Sequence, residues 1–208
     1  MLYRSGRTCW KRFATVLLPA VAAAAALGIG MAQGALAASF FISGQEFELA
    51  ADQLRGRGVS IYPLVDVTRK GTLVPVVVLG FNHADITNLC VSVVLPIPVL
   101  GPYTLLLTSS DRQKAEAANL FIDAISVKAS QANAGDIDIG VAAGAIRKGP
   151  INPGDRKSRF FDPDVFASQA NTVVLTHVRA ISVAASAGTL NVPGFELQIE
   201  PGSHRCFV

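Results

Sequence analysis

The sequence predicts an all-β fold: a mainly antiparallel sandwich or a partly open barrel, with an N-terminal signal or anchor helix and at most one or two short helices. Many short β-rich runs lie between turn signals, which is typical of sandwiches and barrels. The strand-then-helix alternation of α/β folds is missing. About 170 residues after the N-terminal segment are enough to bury one core.

The first elements follow from the alternation of apolar and polar residues. This alternation predicts a strand over Phe40–Leu49, followed by a turn over Asp52–Gly58. Val59–Val67 and Leu73–Leu79 are rich in β-forming residues, and Gly71 lies between them. We therefore expect these two runs to form a hairpin.

The most apolar run outside the N-terminus is Asn88–Thr108. A membrane-spanning helix needs about 20 apolar residues in one unbroken segment, and each proline inside a helix costs about 3 kcal/mol. Prolines and a glycine interrupt this run over Pro96–Pro102. We therefore expect two strands, Leu89–Leu95 and Tyr103–Thr108, joined by a stiff apolar loop.

The second half contains strands, a loop and two segments with helix character. Ser109–Ala118 is polar with helix character, although a long hairpin loop fits equally well. Gly149–Arg159 is a loop by its Pro, Gly and charge content. Asp162 before Pro163 predicts an N-cap and a short helix over Asp164–Gln169. Further strands are predicted over Asn119–Ala129, Asp136–Ile139, Val173–Ala185 and Phe195–Glu200.

The N-terminus has the three-part layout of an export signal. Residues 1–13 carry four basic and no acidic residues, Ala14–Ala32 is nearly all apolar, and small residues precede a cut after Ala37. Nineteen helical residues would span about 28 Å, so an uncleaved anchor also fits. We expect residues 1–37 to be a signal peptide or anchor, and residues 38–208 to be one exported domain, secreted or held at the cell envelope.

The net charge of +3 comes from the N-terminus. From Ala38 onward there are 14 Lys and Arg against 15 Asp and Glu. Nucleic-acid binding needs a clustered basic surface, and a polybasic membrane patch needs the same. The composition therefore predicts no nucleic-acid partner.

Two cysteines follow the N-terminal segment, Cys90 and Cys206. In an oxidising compartment an even pair is expected to form a disulfide. This bridge would join the C-terminal tail to the apolar run. The alternative is two free thiols, one buried and one in a frayed tail.

The common catalytic motifs are missing. No serine lies in a Gly-x-Ser-x-Gly elbow, and there is no phosphate loop or dinucleotide fingerprint. A serine triad would have to use His83, His177 or His204. His83 has Asp85 on the same strand face, but a surface histidine beside an acid is the simpler interpretation. We predict no catalytic residue and no cofactor.

Metal ligands are also weakly represented. There is no His-Glu-x-x-His and no Cys-x-x-Cys, so a zinc site has no support. Asp136 and Asp138, with Asp123 as a third oxygen source, could bind calcium. A solvated strand face explains the first two aspartates more simply, and we predict no metal site.

Two loops carry the candidate binding residues. The apolar loop could insert into a bilayer or a partner's groove, or plug the core between two sheets. The polar loop after Pro153 could meet phosphate headgroups or an anionic glycan, or be an ordinary solvated loop. The candidate ligand-binding residues are Ile97, Val99 and Leu100 at the apolar tip, with Arg156, Lys157 and Arg159 as a polar complement.

Several blocks resemble a family of uncharacterised exported proteins from actinobacteria, especially streptomycetes, many of which are labelled "cholesterol esterase". The blocks include Asn88-Leu-Cys90, Asn119–Asp123, Asp136–Ala143, Pro153–Lys157 and Leu197–Glu200. The resemblance implies an envelope or secreted protein of unknown function, sometimes encoded near a small multi-pass membrane protein. It supplies no catalytic residues, and the missing motifs give the esterase label no support.

Together these observations predict a non-enzymatic exported module that binds a lipid, an apolar ligand or a multi-pass membrane protein. A lipid-ester hydrolase with an unrecognised site is one alternative. A purely structural envelope component is another.

Overall fold

The structure is a computed structural model that describes residues 43–110 and 113–207, together with Leu17. All elements below belong to the compact unit Ala38–Val208. Apart from Leu17, the predicted signal segment lies outside the described residues, as does the start of the predicted strand Phe40–Leu49. Within the described part of the chain, no helix is long and apolar enough to cross a membrane.

The described residues form nine strands and two 3-10 helices, so the all-β prediction is confirmed. The 3-10 helices cover Ala143–Ala145 and Asp155–Lys157. The strands are β1 Phe47–Val67, β2 Leu73–Thr87, β3 Cys90–Ile97, β4 Gly101–Thr108, β5 Ala115–Lys128, β6 Gln131–Ala142, β7 Phe166–Ser186, β8 Thr189–Asn191 and β9 Glu196–Pro201.

All strands join one antiparallel sheet in the order β6-β7-β5-β2-β1-β3-β4-β9, with β8 paired to β5. In addition, β7 pairs with β1 along 13 register positions from Phe47↔Ser182 to Ile61↔Ser168. This pairing connects strands that are not neighbours in the main order, so the sheet curls. It is not a closed barrel, because β6 and β9 remain at its ends.

The predicted turn over Asp52–Gly58 is wrong, because β1 runs through it without interruption. Gly56 lies under the Phe81 ring, where a Cβ would collide with that ring. Gly58 has φ +61°, and a Cβ there would collide with the Asn82 side chain. The register with β2 is the same on both sides of Gly58, so these glycines serve close packing and a left-handed backbone inside a strand rather than a turn.

One helix prediction is also wrong, and the helix alternative for Ser109–Ala118 fails at its end. Residues 115–118 are already part of β5, which begins at Ala115 and pairs with β2. The segment predicted as a helix, Asp164–Gln169, passes into β7, whose first residues pair with β6. The Asp162 carboxylate accepts the Asp164 N–H at 2.9 Å, which makes a local turn instead of a helix cap.

The sheet has a core on each face. The row Ile61–Leu79–Ile122 belongs to the first core, which also contains Phe81, Leu54 and Val178. The second core contains Leu64, Val76 and Val183. It is covered by residues 143–165, the connection between β6 and β7, which we call the strap and which contributes Ala143, Ile146, Ile151, Phe161 and Val165.

Replacing Phe81 with alanine should lower the free energy of unfolding by about 3–5 kcal/mol, because the ring is fully buried and its loss leaves a cavity. Phe166→Ala is the matched control, since that ring is 64% exposed. It should change stability by less than about 0.5 kcal/mol. Denaturant unfolding of both variants tests the core assignment, and equal losses would contradict it.

Candidate functional site

The three strands β3, β4 and β9 lie at one end of the strand order, and we call them the wing. Residues that pair directly across antiparallel strands project from the same face. On one face of the wing all of these residues are apolar. The rows are Val91–Leu107–Leu197, Val93–Leu105–Ile199 and Leu95–Tyr103–Pro201.

This apolar face is continuous with the first core at one end and is exposed at the other. Val91 and Leu107 still pack against the first core. Leu197 and Ile199 on the outer strand are 51% and 58% exposed. The wing therefore presents a contiguous apolar sheet face to its surroundings, a feature that usually marks an interaction site.

The tip of the β3–β4 hairpin lies at the end of the wing. Val99 is fully exposed and Leu100 is 66% exposed, whereas Ile97 is half-buried. The alternative in which this loop plugs the core is therefore wrong for Val99 and Leu100. The predicted apolar tip is on the surface.

The backbone at the tip is unusual. Val99 has φ +73°, and Gly101 has φ +89°. A left-handed backbone costs an L-residue about 1–2 kcal/mol, and a β-branched residue is a genuine outlier there. Glycine or asparagine would suit this position better, so fold stability does not explain the choice of valine.

The predicted basic residues lie elsewhere. Arg156, Lys157 and Arg159 are exposed on the strap, and the Arg159 guanidinium stacks over the Phe160 ring at 4.7 Å. The strap is held near the end of β1 through Tyr62. The wing joins β1 at its start, where β3 pairs with residues 48–50. The contacts of the described residues do not bring the two groups together.

The C-terminal tail is fastened to the wing, and the predicted disulfide Cys90–Cys206 is formed. The free-thiol alternative is therefore wrong. Ser92 Oγ accepts the Cys206 N–H at 3.1 Å, and the buried Glu48 carboxylate binds Arg205 at 2.9 Å. Beside these contacts is a cavity of about 320 Å³.

A cluster of acidic residues lies under the strap, and the sequence analysis did not find it. Tyr62, Val78 and Asp123 form one cross-strand row, and Asp66 projects from the same face of β1 as Tyr62. The strap adds Asp155, whose carboxylate accepts the Tyr62 O–H at 2.7 Å. One oxygen each of Asp66 and Asp123 is buried without a hydrogen-bond partner among the described residues.

Burial is the main cause of altered ionisation in this cluster. Burial, followed by the nearby carboxylates, raises the pKa of Asp123 to about 8. Burial and the charge of Asp155 raise the pKa of Asp66 to about 6. Burial also raises the pKa of Asp155 and that of Tyr62. The cluster therefore resists carrying several negative charges at once.

The calcium hypothesis fails on geometry. Asp123 belongs to the cluster under the strap, whereas Asp136 and Asp138 bind the Lys148 ammonium at 2.7 Å and 3.0 Å. The single positive charge of Lys148 offsets one of the two carboxylate charges. Among the residues that the structure describes, no group of three or more His, Cys, Asp and Glu could hold a metal ion.

The histidines show two side-chain pairs. His83 Nε2 lies 3.0 Å from Asp85 Oδ1, as the shared strand face suggested. His177 Nδ1 lies 3.1 Å from Ser130 Oγ, but this hydroxyl also lies 3.0 Å from the Thr176 carbonyl oxygen, to which it donates. Neither pair has the third group of a triad in the contacts of the described residues.

Comparison with known proteins adds the family. Residues 43–207 match a family of unknown function, DUF6230. The chain belongs to this family. The matched region contains the wing, the strap, the acidic cluster and both disulfide cysteines, so each of these lies within the family's domain. No curated protein and no solved structure matches the chain.

The family match confirms part of the resemblance found in the sequence: the chain is a member of a family of unknown function. The actinobacterial origin and the esterase label stay predictions. The same holds for export and for a membrane-protein partner.

Replacing both Cys90 and Cys206 with serine should lower the free energy of unfolding by up to about 4–5 kcal/mol, because the bridge closes a loop with a sequence separation of 116 residues. Using both replacements avoids a stray thiol. Guanidinium unfolding of the oxidised protein and of the double variant measures the difference. An unchanged midpoint would contradict a stabilising role for the bridge.

Proposed function

We propose that this chain is a non-enzymatic, exported binding module that docks on a lipid surface through the apolar face of the wing and the hairpin tip. One observation carries the proposal: the apolar rows run without interruption from the covered first core to the exposed tip. A soluble domain rarely leaves such a face open unless something covers it.

The energetics suit reversible binding. Burying one valine or leucine side chain contributes about 1.5–3 kcal/mol, so insertion of Val99 and Leu100 alone gives weak attachment. Contact of Leu197 and Ile199 with acyl chains would add a similar amount. Weak single contacts that sum over a surface are typical of peripheral membrane proteins.

The left-handed backbone of Val99 supports a role for its side chain. A residue that costs stability and touches nothing in its own fold is kept for what it contacts outside. Among lipid-facing roles, insertion of a small branched side chain at a hairpin tip fits this position. Gly101 completes the same turn at no steric cost.

A self-pairing sheet edge is a poorer explanation of the open wing. The face of β9 opposite the apolar rows carries Glu196, Gln198 and Glu200. In an antiparallel pair of two β9 strands centred on Gln198, each Glu196 would oppose a Glu200. Like charges placed directly opposite each other destabilise the pairing, so this edge discourages a second copy.

Export is the part of the proposal that rests on the sequence alone. The basic start, the apolar run and the small residues before Ala38 support it. An intact mass of the native protein tests it directly, because a mature chain that begins at Ala38 indicates cleavage. A full-length mass in the membrane fraction indicates an anchor, and a full-length cytoplasmic product contradicts export.

Ester hydrolysis is the second candidate, and the His83–Asp85 and Ser130–His177 pairs are the observations that favour it. Incubation with short- and long-chain esters tests this candidate. Turnover that His83→Ala or His177→Ala abolishes would overturn the non-enzymatic proposal. No turnover with any ester would count against the hydrolase candidate.

We expect Val99→Asp combined with Leu100→Asp to reduce vesicle binding of the domain Ala38–Val208 by about tenfold or more, since two charges would have to enter hydrocarbon. This unit contains both cores and the disulfide and is suited to testing alone. Flotation with phosphatidylcholine vesicles is the measurement.

Leu73→Asp is the matched control, since Leu73 is 52% exposed on the β1–β2 hairpin, outside the wing. It should bind as wild type does. A second control combines Arg156→Ser, Lys157→Ser and Arg159→Ser. It should also leave binding to these uncharged vesicles unchanged. If all variants float equally, or if wild type does not bind, the lipid-surface proposal is wrong.

Val99→Gly separates function from stability at the same position. Relief of the left-handed valine should offset the extra chain entropy of glycine, so the unfolding midpoint should stay equal or rise. Vesicle binding should nevertheless fall several-fold, because the inserted side chain is gone. A variant that binds as well as wild type would exclude a contact role for Val99.

A further inference from the structure

One buried tyrosine fastens the middle of the strap to the sheet. The Tyr62 side chain is fully buried, its hydroxyl donates to Asp155, and it accepts the Asn152 N–H at 3.1 Å. The Tyr62 ring meets Phe161 edge-to-face at 6.1 Å. A further bond runs from Ser60 Oγ to the Pro150 carbonyl. The middle of the strap therefore depends on polar contacts to β1.

Beneath these contacts the sheet supplies two more carboxyl groups. Asp66 projects from β1 and Asp123 from β5. The charges of Asp66 and Asp155 act on Asp123, and the charge of Asp155 acts on Asp66. The neighbouring side chains of β2 and β7 on this face are apolar, Val76, Val78 and Val183. No cationic group of the described residues is among those that shift the ionisation of Asp123.

We propose that the strap is a pH-sensitive cover, held down when the carboxyl groups of Asp66, Asp123 and Asp155 share few negative charges and loosened when all three ionise. Three carboxylates on three different elements can separate only if one element moves. Of the three elements, β1 and β5 are paired with neighbouring strands, whereas the strap has no strand pairing over most of its length. Repulsion would therefore lift the strap before it breaks the sheet.

The direction of the pH dependence follows from the raised pKa values. When the strap is open, Asp66 and Asp123 return toward the ordinary aspartate value near 4. Their raised pKa values of about 6 and about 8 in the closed state mean that closure binds protons. The stability of the closed strap is therefore complete below about pH 4, falls as pH rises through 6 and 8, and levels off above.

Opening would expose a second apolar surface, distinct from the wing. Tyr62, Leu64, Val76 and the strap residue Ile151 belong to the second core. The apolar rows of the wing continue the first core instead. The cover and the lipid-facing wing therefore lie on different faces, and a failure of either proposal leaves the other standing.

Hydrogen exchange on the domain Ala38–Val208 tests the cover. Protection factors corrected for intrinsic exchange are followed for three N–H groups of the strap. That of Asn152 donates to the Tyr62 hydroxyl on β1, and those of Gly144 and Ala143 donate to the Pro163 and Val165 carbonyls of the closed strap. Between about pH 5 and about pH 9 their protection should fall by about a hundredfold or more. Amides of β1 inside the first core should keep their protection.

Asp123→Asn removes the carboxyl group with the highest pKa with little change in shape, and the fall in strap protection should shrink to about tenfold, the share that Asp66 keeps. Asp164→Asn is the matched control, since Asp164 is exposed on the strap outside the cluster. It should behave as wild type does. If Asp123→Asn does not fold, Asp66→Asn serves, and it should reduce the fall in the same way.

Three results would overturn the proposal. If the protection of the strap stays constant across this pH range, the strap does not open with pH. If strap protection falls equally with pH in Asp123→Asn and Asp164→Asn, the acidic cluster does not cause the fall. A parallel loss of protection in the first core means that the whole domain loosens and the strap is not a separate cover.

Discussion

The pairing of β1 with β7 is the constraint on which the remaining structure depends. Both strands are 21 residues long, and each is too long for one neighbour. On the edge that faces away from β7, β1 pairs with β2 and with β3. On the edge that faces away from β1, β7 pairs with β6 and with β5. The sheet must curl so that β2 and β5 can pair. The wing contacts the first residues of β1, and the strap contacts its last residues.

The alternation of side chains along these strands divides the molecule into two chemically different faces. On β1, Ile61 faces the first core and Tyr62 the second. The first face is apolar throughout and runs out onto the wing. The second face mixes apolar residues with Tyr62, Asp66 and Asp123, so its cover is attached partly by groups whose charge depends on pH. The two functional hypotheses follow from this division.

Local chemistry made part of this structure predictable. The β3–β4 hairpin follows from alternation and proline placement, whereas the sequence left the exposure of its tip open. The disulfide follows from the even number of cysteines after the N-terminal segment. The length of β1 was not predictable, because Gly56 and Gly58 have turn composition but make room for the Phe81 ring and the Asn82 side chain. The acidic cluster comes from three distant elements, and only isolated acids in apolar runs, Asp66 and Asp123, signalled it.

The order of the strands also has a kinetic consequence. Five strands separate β1 from β7 along the chain, and β9, which completes the wing, is the last to be made. Pairing between such distant segments is slow because the loop entropy must be lost before contacts form. A chain that crosses a membrane N-terminus first would therefore stay unfolded in transit. It could assemble its central pair only after nearly all of it had emerged.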